Sequence, residues 1–309
     1  MTFTAMNPSS AAVVRLACTI ILAGMLGTVP QASKAADNTD WSKVAAALGK
    51  SGSAMPGGVY RVGMPRTDLH VTLDGVELKA GFALGSWLAF RPEGDSSMVM
   101  GDLVLTETEI APVMTKLAES GIDITALHNH LLRAQPATFY MHVLGHGDPV
   151  KLAAALHEGL ALSKTPLGDA GGAAPSQTVD LDTAMIDRTL GAKGRAAGGV
   201  YQFGIARAET VKDGGMEVPV AMGSAEAINF QPTGTGKTAI TGDFVLTATE
   251  VNPVLRALRE NGIEVTALHN HMLDDQPRLF FMHFWANDDA QKLAKGLRAA
   301  LDKINITRS

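Results

Sequence analysis

Apolar and polar positions along this chain run through one series of periods and then repeat it. A short stretch at helical spacing, Trp41 to Leu48, ends at Gly49, a residue suited to the left-handed end of a helix. Alternating stretches around Val59 to Val62, Leu69 to Leu73, Phe82 to Phe90 and Met98 to Leu105 predict strands. Asp74-Gly75 and the run from Pro92 to Asp95 punctuate them, and Asp-Gly between alternating runs signals a hairpin. From Thr108 to Glu119 the period lengthens, with Ile110, Val113, Met114 and Leu117 on one helical face. Ile122 to Thr125 and Thr138 to Val143 predict two further strands folded onto one another at Gln135-Pro136, and Pro149 to Leu162 predicts a closing helix.

The second passage matches the first from about residue 182. Leu48-Gly49 returns as Leu190-Gly191, Gly58-Val59-Tyr60 as Gly199-Val200-Tyr201, and Gly101-Asp102 as Gly242-Asp243. Gln291 to Ile304 closes the second copy as a helix. Self-similarity at this length means two homologous units in tandem. Strands followed by a helix, two strands and a helix predict an α+β fold in which each unit is an antiparallel sheet with helices packed on one face. The boundaries are residues 1–36 for a signal peptide, 37–164 for the first repeat domain, 165–181 for a linker dense in Gly, Ala, Pro and Ser, and 182–309 for the second.

Composition narrows the setting. With 309 residues, 46% of them hydrophobic and 18% charged, the chain can bury a core in each unit. Arg15 ahead of the apolar run Leu16 to Val29, then Ala32-Ser33-Lys34-Ala35-Ala36, has the outline of a cleaved secretory signal, so a periplasmic or secreted location is expected. The apolar run is short for a membrane span, and no later segment predicts one. Cleavage would remove Cys18, the only cysteine, together with two cations, moving the formal charge from −5 to −7. Any metal must then be held by nitrogen, oxygen or thioether sulfur, and a mildly acidic chain lacks the basic footprint of a nucleic-acid partner.

Candidate chemistry centres on Ala126-Leu127-His128-Asn129-His130, which returns as Ala267-Leu268-His269-Asn270-His271. In each copy a Gln-Pro follows, then an apolar run carrying a third histidine, His142 or His283. On a strand, His128 and His130 project from one face, and the second strand of the hairpin brings His142 across from or beside them. Three imidazoles on one face suit a divalent transition metal, zinc being the leading choice. The expected sites are His128, His130 and His142 in one unit and His269, His271 and His283 in the other. The competing explanation is that Ile122, Ile124 and Ala126 share that face, so that the histidines are core residues bonded to their neighbours. Burying unpaired imidazole atoms costs roughly 1–3 kcal/mol each, which favours coordination.

Other features have simpler explanations. Thr106-x-x-Glu109 and Thr247-x-x-Glu250 have capping-box spacing, which outweighs a general-base role for the glutamates, although Thr108 or Thr249 could cap instead. Asp102 and Asp243 follow a glycine at a strand start, where a turn role is commoner than orienting a histidine from behind a metal. Met141 and Met282 alternate with the histidines and point to the opposite, packed face. His146 shares parity with His142 and offers a fourth ligand in the first unit alone. Thr233 to Thr238 imitates the end of a phosphate-binding loop but has Gln231 where the leading glycine belongs, and predicts a hairpin turn.

The stretch from Gly58-Val59-Tyr60 through Asp74-Gly75, Leu84-Gly85-Ser86-Trp87 and Gly101-Asp102-Leu103-Val104-Leu105 to the ALHNH segment and Phe139 to His142 resembles the LppY/LpqO family of bacterial exported proteins. That resemblance implies export and a tandem fold, and no assigned reaction. The second unit departs from it where Ser224-Ala225-Glu226-Ala227 replaces Leu-Gly-Ser-Trp. The sequence therefore predicts an exported protein with a three-histidine metal site in each unit, compatible with metal-assisted hydrolysis. The alternative is a non-catalytic module that holds an envelope ligand or another small molecule. Whether it is an enzyme stays open at this level.

Overall fold

In the computed structural model, which describes residues 39–168, 178–234 and 236–307, each repeat is a six-stranded antiparallel sheet with three helices on one face. The segment expected to be a signal peptide, and most of the expected linker, lie outside the described residues. Asp37–Ser309 form one compact unit that contains both repeats.

The first repeat contains α1 (Trp41–Leu48), β1 (Ser53–Met55), β2 (Val59–Pro65), β3 (Gly85–Glu93), β4 (Ser96–Thr106), α2 (Glu107–Glu119), β5 (Asp123–His128), β6 (Thr138–Gly147) and α3 (Pro149–Leu160). Its strands lie in the order β1-β2-β3-β4-β6-β5. The second contains α4 (Thr183–Leu190), β7 (Arg195–Ala197), β8 (Val200–Ala206), β9 (Ala225–Gly234), β10 (Lys237–Thr247), α5 (Ala248–Glu260), β11 (Glu264–His269), β12 (Leu279–Asp288) and α6 (Ala290–Leu301). Its order, β11-β12-β10-β9-β8-β7, is the same path through the sheet.

Local chemistry fixes the element ends. Thr106 and Thr247 open α2 and α5 as capping boxes, their amides donating to Glu109 at 2.8 Å and Glu250 at 2.7 Å. The same carboxylates receive the buried Arg66 and Arg207 at 2.9 Å, so neither belongs to the histidine chemistry. Gly49 and Gly191 end α1 and α4 with positive φ. Part of the expected strand around Leu69 is irregular, and Phe82 sits in a helical turn, Ala80–Ala83; these segments bury Val71, Leu73, Phe82 and Leu84 against Val104, Tyr140 and Trp285 between the repeats. The Asp74-Gly75 hairpin forms as expected, with φ of 50° and 80°. Gly234 and Lys237 pair across the β9–β10 turn, where a phosphate loop had been the rival.

Each sheet has two packed faces. In β4, Val99, Leu103 and Leu105 point to the helices of their own repeat, where they join Leu88, Val113, Leu117, Met141, Val143 and Leu156. The alternate residues of the two repeats meet each other: Val104 and Tyr140 pack with Ala239 and Trp285, and Ala89, Met98 and Met100 with Val245, Leu279 and Phe281. The molecule is therefore layered helix, sheet, sheet, helix. A strand buried on both sides reads as a nearly continuous apolar run, as Ser97 to Leu105 does. Met141 and Met282 face the helices, as their parity required.

One expectation about the facing residues is corrected. Ile124 does not share a face with His128. The register of β5 on β6 shifts between Ile124, opposite Val143, and Ala126, opposite His142. This bulge adds a residue and reverses the alternation, so Ile122 and Ile124 pack on the helices while Ala126 and His128 turn to the other repeat. The second repeat has the same shift between Val265 and Ala267.

Candidate metal centre

The bulge, the hairpin and one further strand build the site. On β6, His142 stands directly opposite Asp102 of β4 and Ala126 of β5, and His128 stands opposite Tyr140. On β12, His283 stands opposite Asp243 of β10 and Ala267 of β11. Directly opposed residues share a face, so each Asp-His pair projects between the two sheets. His130 and His271 lie just past the ends of β5 and β11.

All six sequence-predicted histidines come together in one cluster. Its ring contacts pair one repeat with the other: His128 stacks on His269 with centroids 3.5 Å apart, His130 on His283 at 3.7 Å, and His142 on His271 at 3.7 Å. Exchanging the repeats maps this set of pairs onto itself, so His128 and His269 mark a pseudo-two-fold axis. Tyr140 and Phe281 close the two ends, stacking on His130 and His271 at 3.3 and 3.5 Å. Within one hairpin the rings are farther apart, at 5.0 Å for His128–His130 and 5.1 Å for His128–His142.

Four sets have all their ligand atoms within 4.8 Å of one another: His128, His142, His269 and His271; His128, His130 and His283; Asp102, His130 and His142; and Asp243, His271 and His283. Neither trio expected from a single hairpin is among them. The reason is interdigitation, because imidazoles from two facing sheets interleave rather than gather above their own ribbon. Asp102 and Asp243, given a turn role by their sequence position, complete the two symmetric sets. Their carboxylates lie 3.8 Å from His130 and His142, and 3.5 and 3.8 Å from His271 and His283. A signal for them was present, since each is a carboxylate inside an apolar run long enough to be covered on both sides. His146 is exposed at the far end of β6, and His157 bonds the Leu48 carbonyl at 2.8 Å; neither joins the cluster.

The polar atoms here lack partners. Nδ1 of His128 meets the Asn129 carbonyl at 3.2 Å and Nδ1 of His283 the Gly242 carbonyl at 2.9 Å, which leaves Nε2 as the acceptor that a metal uses. Seven buried side-chain atoms of the cluster have no hydrogen-bond partner: Oδ1 of Asp102 and Asp243, Nε2 of His128, His130, His142 and His283, and Nδ1 of His269. His269 and His271 share a contact at 2.9 Å between their Nε2 atoms.

Burial sets the protonation states. It pushes His128 down to about 4 and holds His130, His142, His269, His271 and His283 below the ordinary imidazole range, neighbouring imidazoles adding to the effect in these five. The histidines are therefore neutral at pH 7, the form that ligates. Burial pushes Asp102 up to about 8 against the pull of Arg61, and holds Asp243 well above the carboxylate range, with Asp102 adding to it. Buried among neutral imidazoles, the two carboxyls therefore favour the protonated form, and a divalent cation would supply the counter-charge that their ionised, ligating form needs.

A model of the family described as Domain of Unknown Function (DUF1259) matches the chain twice, at residues 42–162 and 184–303. No curated protein matches it. Among solved structures, a trimeric bacterial microcompartment shell protein, PduB, matches at 13% identity over 83% of this chain and 96% of its own, with a TM-score of 0.22. EtuB from Clostridium kluyveri matches at 9% identity over 82% and 90%, with a TM-score of 0.20. At these scores neither likeness carries an argument.

Proposed function

We propose that this chain, which belongs to the DUF1259 family and carries that family's domain twice, is a metal-binding protein whose centre is built between its repeats. The finer resemblance to the LppY/LpqO proteins and the signal-like N-terminal sequence support placing it outside the cytoplasm. The observation that carries the metal reading is the convergence of six neutral imidazoles and two carboxylates with seven unpartnered buried atoms. Asp102, His130 and His142 would hold one ion, and Asp243, His271 and His283 a second, with His128 and His269 at the axis within reach of either. Two histidines and a carboxylate suit zinc and also iron(II), and such a set leaves positions for water or substrate. A bound divalent ion would supply an activated water, which supports a hydrolytic reading.

Elemental analysis of untagged protein tests this. Divalent metal is expected in an amount that falls in Asp102→Asn and Asp243→Asn. A content near zero, both after growth in supplemented medium and after reconstitution, would overturn it. A second reading has its own observation, the close ring stacking from Tyr140 through the histidines to Phe281, which is how a packed aromatic core looks. In that case the protein is a non-catalytic envelope binding module. Its thermal unfolding would then ignore chelators, whereas a metal centre requires a chelator-dependent loss.

A further inference from the structure

A cavity opens beside the cluster. It lies between the repeats, has a volume of about 680 Å³, and is lined by Asp102, His142, Asp243 and His283 together with Arg61 and Trp87. That size is within the range of small-molecule sites, roughly 300–1,000 Å³.

Arg61, half-buried at the cavity wall, is unlike the buried arginines. Arg66 and Arg207 are ion-paired with carboxylates, Asp68 and Glu109 around the first and Glu209 and Glu250 around the second. Arg61 makes no ion pair among the described residues. Its Cζ lies 4.0 Å over the Trp87 ring, and Nη1 donates to the Ala221 carbonyl. A guanidinium has five N–H donors, so most of this one's capacity is unused. Arg195 of β7 lines the same cavity and likewise forms no ion pair among the described residues. The second repeat has no counterpart of the pair: Gln202 takes the place of Arg61 and donates to the Gly81 carbonyl at 2.7 Å, and Ala227 takes that of Trp87.

We propose that Arg61, held over the Trp87 ring, docks the oxyanion group of a small molecule, a carboxylate or a phosphate, that occupies the cavity and presents its remainder to the metal cluster. The planar fork of a guanidinium matches either group with two parallel hydrogen bonds. The ligand has one orientation, because only the first repeat carries the docking pair. The idea rests on the metal reading for its chemistry and on the cavity alone for its binding.

Calorimetric titration of the full chain, metal-loaded and metal-stripped, with inorganic phosphate and separately with acetate, tests it and tells the two oxyanions apart. At least one anion is expected to bind, and Arg61→Gln to weaken it by about tenfold or more in both metal states. Arg61→Lys keeps the charge but loses the fork, and is expected to weaken binding by a smaller factor. The bound anion is also expected to change Trp87 fluorescence, a signal absent in Trp87→Phe. No binding of either anion by the wild type, unchanged affinity in Arg61→Gln, or, should that variant not fold, unchanged affinity in Arg61→Lys would overturn the proposal. Arg61-dependent binding in a protein that takes up no metal would leave this inference standing and remove the metal reading alone.

Discussion

In the first repeat Trp87 stands opposite Asp102 on the neighbouring strand and Arg61 lies over its ring; in the second, Ala227 stands opposite Asp243 and Gln202 replaces the arginine. Yet both repeats present the same carboxylate and the same three imidazoles to the axis. Cluster residues of one repeat contact those of the other, through the stacked pairs His130–His283 and His142–His271, so a change on one side is felt by both. Arg61 and Gln202 instead bond backbone carbonyls of the other repeat, Ala221 and Gly81, and there the two copies differ. Under the proposed function, the shared residues serve the metal and the unshared pair serves whatever enters.

The sharpest way to break this comparison is to remove a ligand from each side. His142→Ala and His283→Ala are both expected to lower metal affinity by on the order of 100-fold or more, read by competition with a chromogenic chelator. Asp243→Asn should cost more than Asp102→Asn, because Arg61 already offsets part of the Asp102 charge. Equal losses would mean that Arg61 does not act on the centre.

Next in size is the glycine that precedes each aspartate. A Cβ at Gly101 would stand 2.5 Å from Leu88 Cδ2 and 2.7 Å from the Trp87 carbonyl, while one at Gly242 would overlap the Ala227 carbonyl and meet Phe284 at 2.7 Å. Both alanine variants are expected to lose stability in denaturant unfolding by about 1–3 kcal/mol or more, Gly242→Ala the more, since backbone yields less than a leucine methyl.

A third contrast lies beneath the site. Ser86 accepts the Val104 amide at 2.8 Å through its hydroxyl oxygen, whereas its counterpart Glu226 is fully buried and accepts the Val245 amide with one oxygen while the other has no hydrogen bond and lies 3.9 Å from Arg207. Burial above all holds the Glu226 carboxyl well above the glutamate range, against the Val245 amide and Arg207. A raised folded pKa contributes stability that is full below the unfolded value and is lost as pH rises through the folded one. Glu226→Gln removes that loss, so its melting temperature is expected to gain on the wild type from about pH 5 to about pH 8 in chelator. A gap that narrows with rising pH would contradict the assignment. The smallest effect belongs to Arg133, where the second repeat has Asp274. It pairs with Asp74 at 3.0 Å and Glu264 at 2.8 Å but is half exposed, so Arg133→Ala should cost about 1 kcal/mol or less in the same unfolding measurement.

The sequence by itself determined the duplication, the α+β class, the capping of α2 and α5, the helix-facing methionines and the six histidines, because each is written in local periods or in a match of the chain with itself. Tertiary structure decided how those histidines are shared. The bulges after Ile124 and Val265 depend on pairing with β6 and β12, and no period within the strand records them. Asp102 and Asp243 looked like turn residues until the register set them opposite His142 and His283. Two hairpins with three imidazoles each became one cluster with two aspartates only when the inner faces of two sheets met, since contacts between surfaces from distant parts of the chain leave no periodic trace in either.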